Sequence, residues 1–356
     1  MSARITSIQT AFPIYSIKQQ RALEFMSAIN DLSQEESHKL EVLYRATGIE
    51  NRYSVISDYA DKENCEFFRE PDFSPSTPDR LKRYSREALQ LSVESAKKCL
   101  INRGIEAKAI DHLIYVSCTG MQAPGIDIEL VKSLGLRKNV DRTAINFMGC
   151  YAAFTALKLA KSICNSSDSK VLIICTELCT LHFQKGKDDD NLLANALFGD
   201  GSSAVLVESK YEGKSLEIKE SFCDLLIDGE NEMAWQIGDL GFEMKLSSYV
   251  PDVIAGGIDT LLSNFNQKFD YYAIHPGGKK ILSVIEQALN IQREDNKWAH
   301  NVLRDHGNMS SPTVLFVLSS IFNQLEMQDH DKSILSMAFG PGITLESIVF
   351  KIHFNA

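Results

Sequence analysis

Short apolar segments alternate along this chain with longer segments of mixed polarity. Residues 112–117 and 171–175 are compact runs rich in Leu, Ile and Val, a pattern typical of buried strands. Residues 84–100 and 254–265 are longer, and their apolar positions are spaced as in helices. Because strands and helices that alternate in this way pack in layers, the sequence predicts an α/β protein.

Two stretches of the chain are similar to each other. A Phe-Gly-Asp-Gly sequence at residues 198–201 and a Phe-Gly-Pro-Gly sequence at residues 339–342 each lead into a β-rich run. This repeat predicts two related halves, which we assign to residues 1–212 and 213–356. Neither turn fits a three-glycine dinucleotide loop or a phosphate loop that ends in Gly-Lys-Ser/Thr, so we expect no bound NAD or ATP.

Cys150 has the sequence context of an activated thiol. It follows the apolar run at residues 144–148 and precedes small and apolar residues at 151–157, which predict a buried helix. A thiol at a strand-to-helix turn lies at a helix N-terminus, where unpaired N–H groups and the helix dipole favour the thiolate. We therefore expect Cys150 to be a nucleophile.

Two later residues complete a candidate acyl-transfer triad. His275 follows a short apolar strand at residues 271–274 and enters a Pro-Gly-Gly turn, and Asn308 lies on a loop before the apolar helix at 313–318. Each residue alone has an ordinary structural interpretation, as a core thiol, a hydrogen-bonded imidazole or a helix cap. Their combination favours catalysis.

The order Cys, His, Asn also occurs in papain-like proteases. Those enzymes carry the nucleophile near the mature N-terminus in a Cys-Gly-Ser/Ala-Cys-Trp/Tyr signature, whereas Cys150 lies mid-chain in Met-Gly-Cys-Tyr. The first residues show no signal peptide, and no apolar run approaches the roughly 18 residues of a membrane span. We expect a soluble cytoplasmic protein that is not inserted in a membrane.

Composition excludes several other classes of function. The net charge of −10 disfavours a nucleic-acid partner, because phosphate backbones bind clustered Lys and Arg. The eight cysteines lack the paired spacing of a zinc site and are expected to be reduced. The acidic segment at residues 187–190 is expected to be a solvated loop, since nothing nearby completes an oxygen cage, and no metal is predicted.

Six short motifs together resemble those of the chalcone synthase-like type III polyketide synthases, within the thiolase-fold condensing enzymes. They follow that family's order and spacing over nearly the whole chain. The motifs are Pro124-Gly125, Gly149-Cys150-Tyr151-Ala152, Ala196-Leu197-Phe198-Gly199-Asp200-Gly201, Ile274-His275-Pro276-Gly277-Gly278, Gly307-Asn308-Met309-Ser310-Ser311 and Phe339-Gly340-Pro341-Gly342-Ile343-Thr344.

The resemblance implies a five-layered αβαβα fold with two pseudo-equivalent halves, a homodimer, and a buried site reached by a tunnel for the coenzyme A arm. It implies no cofactor besides the coenzyme A thioesters that serve as substrates. By position, Cys150 matches the nucleophile that holds the growing chain. His275 matches its base, and Asn308 matches the second group of the oxyanion hole.

Further positions are assigned by the same resemblance. Family threonines of the cavity align with Cys118, Cys179 and His182, and a family glycine that sets cavity length aligns with Met233. A family methionine that crosses the dimer aligns with Ala123. The resemblance places the following residues at the substrate: Phe198 and Phe242 as an aromatic pair at the tunnel mouth, with Cys118, Cys179, His182, Met233, Ser310, Gly340 and Pro341. Of the three basic residues that the family uses for coenzyme A phosphates, only Lys39 lines up. Arg45 and Arg52 are further candidates, and a solvated helix face explains these three residues nearly as well.

The implied function is that of a type III polyketide synthase. The chain would load a starter acyl group from acyl-CoA onto Cys150, extend it by repeated decarboxylative condensation with malonyl-CoA, and cyclise the product. A pyrone, a resorcinol and a chalcone-type product all stay open, as do the starter and the number of extensions.

Three alternatives share the thiolase fold. A ketoacyl synthase III would condense once with malonyl carrier protein, although the motifs at residues 307–311 and 339–342 favour the polyketide synthase. A hydroxymethylglutaryl-CoA synthase needs an acid that has no evident counterpart here. An inactive scaffold subunit has no reason to keep Cys150, His275 and Asn308 on three separate loops.

Overall fold

The computed structural model describes residues 2–59, 65–69, 72–229, 232–265 and 267–355. Its strands are β1 (Arg4–Ala11), β2 (Tyr15–Lys18), β3 (Asn51–Ser54), β4 (His112–Ser117), β5 (Asp141–Asn146), β6 (Lys170–Leu178), β7 (Asp200–Glu208), β8 (Gly213–Leu225), β9 (Met233–Gly238), β10 (Gly241–Leu246), β11 (Tyr271–Ile274), β12 (Ser333–Gly340) and β13 (Thr344–Asn355). Its helices are α1 (Gln19–Ile29), α2 (Gln34–Ala46), α3 (Thr77–Arg103), α4 (Ile126–Leu134), α5 (Ala152–Ser166), α6 (Asp189–Leu197), α7 (Val250–Leu262), α8 (Lys279–Leu289), α9 (Lys297–His306) and α10 (Thr313–Gln324).

Nine strands form one mixed sheet in the order β11-β12-β13-β8-β1-β7-β6-β4-β5. On one side of the β1–β8 contact, β1, β7 and β6 pair antiparallel, and β6, β4 and β5 pair parallel. On the other side, β8, β13 and β12 pair antiparallel, and β12 and β11 pair parallel. Two antiparallel pairings followed by a parallel pairing therefore occur on both sides, and β5 adds a second parallel pairing to the first side. The predicted division at residues 212 and 213 falls between β7 and β8, and it stays a prediction.

The helices lie in layers on both sides of these strands. α3 contacts β1, β6 and β7, whereas α5 and α10 contact strands of both halves, and α7 contacts β8. The order from one face to the other is therefore α3, the strands of the first half, α5 with α10, the strands of the second half, and α7. Each strand group is covered by helices on both faces, as in other layered α/β proteins.

The central strands are apolar on both faces because each face meets a different core. In β7, Val205 and Val207 belong to the core that contains α5 and α10, while Ala204 and Leu206 belong to the core under α3. Successive side chains of a strand point to opposite faces, so this alternation follows from strand geometry. It explains why residues 171–175 of β6 are almost entirely apolar.

The predicted elements match the structure in kind and differ at their ends. β4 coincides with the predicted strand at residues 112–117. α3 starts before the predicted helix at 84–100, because Ser76 accepts the backbone N–H of Asp79, and it stops at Gly104, which has φ of 67°. The acidic segment predicted as a solvated loop instead starts α6, where Asp188 accepts the N–H of Asn191 at 2.9 Å.

Among the helices in the described ranges, none is long and apolar enough to cross a membrane. The predicted cytoplasmic location stays a prediction.

Candidate active site

Cys150 lies in a single 3₁₀ turn, Gly149–Tyr151, between β5 and α5. Two residues of this connection have left-handed backbone, Phe147 with φ of 58° and Gly149 with φ of 75°. A Cβ at position 149 would lie 2.4 Å from Cδ of Pro341. Glycine is therefore required for both the backbone and the close approach of the 339–342 loop to the turn that carries Cys150.

Replacing Gly149 with Ala is expected to lower the thermal midpoint by several degrees and to impair Cys150. A left-handed non-glycine residue costs about 1–3 kcal/mol, and the clash with Pro341 adds to it. Gly256→Ala is the matched control, because Gly256 lies in exposed helix α7 with open space around its Cβ position. If the thermal midpoints of the two variants fell by the same amount, this explanation would be contradicted.

Gly340, which the resemblance assigned to substrate binding, packs behind the nucleophile instead. A Cβ there would lie 2.6 Å from Cδ1 of Tyr151 and 3.3 Å from the backbone nitrogen of Cys150. Its neighbour Pro341 lines the cavity in front of Cys150. The 339–342 loop thus supports the thiol on one side and contributes to the cavity on the other.

Burial raises the pKa of the Cys150 thiol to about 11. The Ser310 hydroxyl and the Asn308 amide lower this pKa by hydrogen bonding to the sulfur, whereas the Glu177 carboxyl raises it. The sequence predicted a favoured thiolate at a helix N-terminus, but for this buried thiol the loss of hydration outweighs the helix dipole. Cys150 therefore needs a base to accept its proton at pH 7.

His275 is placed at the end of β11 by backbone hydrogen bonds. Its N–H donates to the carbonyl of Met337 at 2.8 Å, and its own carbonyl accepts the N–H of Gly277 at 3.0 Å. Burial lowers the pKa of the imidazole to about 3, and neither ring nitrogen has a hydrogen-bond partner among the described residues. Buried polar atoms are normally paired, so this unpaired ring indicates a functional group that awaits its partner.

Asn308 connects the two halves at the cavity. Its backbone pairs with the segment around Phe198, donating to the carbonyl of Leu197 at 2.9 Å and accepting the N–H of Gly199 at 2.9 Å. Its Oδ1 accepts the N–H of Ser310 at 2.8 Å, so its Nδ2 is the donor that faces the His275 turn, where it reaches the Gly277 carbonyl at 3.3 Å. The side-chain orientation is therefore fixed before any substrate binds.

One cavity of about 270 Å³ brings these three residues together. Most of the predicted substrate-binding residues line the same cavity. The predicted residues that line it are Cys150, His275, Asn308, Phe198, Phe242, Cys118, Cys179, His182, Met233, Ser310 and Pro341. Ser310 has left-handed backbone with φ of 57°, and its hydroxyl lies 3.3 Å from the Cys118 sulfur.

His182 and Phe242 form a locked pair in the cavity wall. Their rings stack with centroids 4.1 Å apart and an interplanar angle of 11°. Nδ1 of His182 accepts the N–H of Phe242 at 3.0 Å, and its Nε2 donates to the carbonyl of Thr119 at 2.6 Å. Burial lowers the pKa of His182 to about 3, so this imidazole stays neutral and keeps the hydrogen on Nε2.

A buried carboxyl group lies behind the cavity. Glu177 in β6 is fully buried and accepts the N–H groups of Cys118 and Thr119 at 2.9 and 3.1 Å. Its other oxygen accepts the Ser311 hydroxyl at 2.5 Å. Burial raises the pKa of Glu177, while these hydrogen bonds lower it. Glu177 thereby joins the end of β4 to the loop that carries Asn308.

The basic residues predicted for coenzyme A phosphates are not brought together. Arg52 is only 5% exposed and donates to the carbonyls of Asn195 and Phe198 at 2.6 and 2.8 Å, so it holds the wall of the inner cavity. Arg45 pairs with Glu41 and lines neither the active cavity nor the cleft beside α2. Lys39 lines that second cleft, of about 530 Å³, together with Lys187, which the sequence analysis did not select.

Within the described ranges, one group of three potential metal ligands lies close together, formed by His330, Asp331 and His353. None of the three lines the active cavity. Nδ1 of His330 accepts the N–H of Phe354 at 3.0 Å, so the proton lies on Nε2 and leaves no free lone pair for a metal.

Trp235 in the cavity wall and Glu177 behind the cavity were not predicted, although the sequence carries a signal for each. Trp235 is two positions after Met233 in β9, and residues two apart on a strand share a face. Glu177 is a carboxylate that closely follows the apolar run of β6. A carboxylate is rarely buried unless other groups pair with it, so this position indicates a buried carboxylate with specific partners.

The chain matches two family models with the descriptions "Chalcone and stilbene synthases, N-terminal domain" over residues 1–211 and "Chalcone and stilbene synthases, C-terminal domain" over residues 217–353. The chain belongs to the chalcone and stilbene synthase family. It is a type III polyketide synthase, one of the acyltransferases that catalyse decarboxylative condensation, and the predicted family is confirmed.

Individual relatives agree with this result. The chain is 30% identical over 363 residues to "Alpha-pyrone synthesis polyketide synthase-like Pks18" of Mycobacterium tuberculosis, covering 98% of this chain and 91% of that protein. It is 29% identical to "Probable polyketide synthase 1" of Dictyostelium discoideum, of which it spans only 11%. The crystal structure of PKS-I from the brown alga Ectocarpus siliculosus superposes with a TM-score of 0.92 at 27% identity, over 98% of both chains. The predicted thiolase-like α/β fold is confirmed by this superposition.

Proposed function

We propose that this type III polyketide synthase loads an acyl group from an acyl-CoA onto Cys150 and extends it with malonyl-CoA. The observation that carries the proposal is the convergence of Cys150, His275 and Asn308 on one buried cavity, each from a different loop. Two of the three come from the second half of the chain and one from the first.

Loading is a thioester exchange at the Cys150 sulfur. As the thioester binds, the thiol proton moves to the unpaired ring of His275, and the sulfur attacks the acyl carbonyl. The bond between the acyl carbon and the coenzyme A sulfur breaks, and the leaving thiolate takes the proton from His275. The neutral Cys150 thiol and the neutral His275 imidazole become a thiolate and an imidazolium. Because the two charges are opposite, each reduces the cost of desolvating the other.

Extension requires an oxyanion to be stabilised in a dry cavity. Malonyl-CoA loses CO₂, and the electron pair of the broken bond forms an enolate on the remaining acetyl-CoA unit. An N–H of His275 and the Nδ2 group of Asn308 are the proposed donors to the enolate oxygen. The enolate carbon then attacks the acyl carbonyl on Cys150, a carbon–carbon bond forms, and the Cys150 thiolate leaves. Phe198 and Phe242 lower the polarity around the substrate carboxylate.

Replacing His275 with Ala should slow alkylation of Cys150 by iodoacetamide at pH 7. Burial raises the pKa of the Cys150 thiol, so at pH 7 the thiolate forms only when a base accepts its proton, whereas in the variant it forms only as the pH of the solution rises. The rate measured by mass spectrometry should therefore climb steeply from pH 7 to pH 10 in the variant and less steeply in the native protein. His300→Ala, in α9 and outside the cavity, is the control. Identical profiles for His275→Ala and the native protein would exclude His275 as the base.

The coenzyme A moiety is proposed to extend towards the cleft beside α2. Helix α6 separates this cleft from the active cavity, and Leu246 lines both. Lys39 and Lys187 provide positive charge there, although Glu35 and Glu36 already pair with them at 3.3 and 3.0 Å. Phosphates would have to displace these exposed pairs, which contribute little to stability.

We propose a homodimer because one edge of the nine-stranded sheet is exposed. β5 is the last strand at one edge, directly before the Cys150 turn, and most of its residues are exposed or half-buried. An exposed edge strand favours pairing with another chain. The nearby residues at 121–124, which include Ala123, are also exposed. Sedimentation equilibrium tests the dimer, and a monomer at micromolar concentration would exclude it.

The experiment that tests the function is intact-protein mass spectrometry after incubation with a panel of acyl-CoA thioesters, followed by malonyl-CoA. We expect an acyl adduct that maps to Cys150 and disappears when malonyl-CoA is added, with release of a polyketide. An adduct that is extended only when malonyl carrier protein is supplied would indicate a ketoacyl synthase III. No adduct with any thioester would favour an inactive scaffold.

A further inference from the structure

One wall of the active cavity is a separate two-stranded sheet. Among the described residues, β9 and β10 pair only with each other, and their register sets Trp235 opposite Met244 and Met233 opposite Leu246. All four of these side chains line the cavity. The hairpin therefore presents one apolar face to the substrate, independently of the nine-stranded sheet.

Three of the hairpin's attachments fix its tip and its aromatic residues. At its tip, Gly241 donates its N–H to the Thr77 hydroxyl at 2.8 Å, and Asp239 accepts the N–H of Thr77 at 2.9 Å, at the start of α3. In its middle, the indole N–H of Trp235 donates to the Cys118 carbonyl at 2.7 Å.

The third attachment is the His182 pair described above, which fixes Phe242 by a hydrogen bond and by stacking. The Trp235 ring packs edge-on against both His182 and Phe242, with centroids 5.7 and 5.8 Å away. The Trp235 and His182 rings are each held by a hydrogen bond as well as by packing, and the Phe242 ring is held by stacking while its backbone N–H bonds His182. These contacts position the wall before a substrate binds.

The cavity that this wall encloses is small. Its volume of about 270 Å³ lies below the range of roughly 300–1,000 Å³ that is typical of sites for drug-sized ligands. The lining also includes Asp188 and Asn191 at the start of α6, on the side that faces the cleft beside α2. The coenzyme A arm would occupy this part of the cavity. Little volume is left for an acyl chain beside Cys150.

We propose that Trp235 is a specificity-determining residue that restricts this enzyme to short acyl starters and short products, and that His182 positions Phe242 on the same wall. Trp235 is half-buried, and its side chain forms part of the cavity wall. Removing the indole would open the cavity at this place and give a longer chain room to pass. The inference rests on the proposed loading of acyl-CoA onto Cys150.

The test is the acyl-chain-length profile of Cys150 loading, measured by intact-protein mass spectrometry with acyl-CoAs of two to twelve carbons. The native enzyme should load short chains and discriminate strongly against dodecanoyl-CoA. Trp235→Ala should raise dodecanoyl loading relative to acetyl loading by about tenfold or more, since a change of one methylene in a pocket already alters specificity by about 10- to 200-fold.

Two further variants make the result specific. Trp235→Phe loses the hydrogen bond to Cys118 but keeps most of the bulk, so its profile should stay near that of the native enzyme. Trp298→Ala removes the chain's other tryptophan, which is also half-buried but lies in α9 outside the cavity, and should change nothing.

The possible results distinguish the role of Trp235 from the proposed loading of Cys150. Native enzyme that loads dodecanoyl-CoA as fast as acetyl-CoA would overturn the role of Trp235 and leave the proposed function intact. A Trp235→Phe profile shifted as far as that of Trp235→Ala would overturn the steric explanation. Absence of loading with every acyl-CoA would overturn the proposed function and, with it, this inference.

Discussion

Cys150→Ala is expected to abolish acyl loading and polyketide formation, with a loss of at least about 10³-fold in turnover. Loss of a nucleophile removes the covalent intermediate itself, and single nucleophile deletions in other enzymes cost still more. Cys118 and Cys179 line the same cavity, and burial raises the pKa of both thiols well above the ordinary range of cysteine. Neither is the thiol for which His275 is the proposed base, so we expect neither to substitute. Product analysis after incubation with acyl-CoA and malonyl-CoA measures this directly.

The matched control is Cys223→Ser, because Cys223 is an exposed cysteine of β8 that does not line the cavity. It should retain native turnover. Cys150→Ala should still release CO₂ from malonyl-CoA slowly, since His275 and Asn308 are intact. Polyketide formation by Cys150→Ala would show that another group carries the chain.

Asn308→Asp should reduce decarboxylation of malonyl-CoA by about 10²–10³-fold while acyl loading falls much less. Aspartate keeps the Oδ1 acceptor that holds the N–H of Ser310 at 2.8 Å, so the loop retains its main support. It replaces the Nδ2 donor with a carboxylate oxygen, which repels the developing enolate. The release of CO₂ and the mass of the acyl adduct measure the two steps separately.

Asn301→Asp serves as the control, because Asn301 is exposed on α9 shortly before Asn308 in sequence. It should leave both steps unchanged. If Asn308→Asp lowered loading and decarboxylation to the same extent, the amide would act on both steps equally and the proposed division of roles would be wrong.

The sequence predicted the three central residues because each has a strong local context. Cys150 and His275 follow apolar strands, and Asn308 precedes an apolar helix, so their places at element ends could be predicted from neighbouring residues. The resemblance added the cavity positions. Most of them line the cavity, because equivalent backbone positions in one fold carry side chains to equivalent places.

The errors concern contacts between distant segments. Arg52 was assigned to a phosphate because it is basic and close in sequence to α2, but its guanidinium turns inward to the carbonyls of Asn195 and Phe198, more than 140 positions away. The protonation of Cys150 also depends on distant segments. The position of Cys150 at a helix end can be predicted from neighbouring residues. The desolvation that raises the pKa of its thiol comes from all the residues around the cavity.

The separate β9–β10 hairpin has an evolutionary consequence. The nucleophile and the oxyanion donor lie beside left-handed residues and beside glycines that leave no room for a side chain, so these loops accept few substitutions. The hairpin strands pair only with each other, and a changed side chain at position 233 or 235 alters the cavity without touching the pairing of the large sheet. Product diversity can therefore arise by mutation in the hairpin while the condensing chemistry is inherited unchanged.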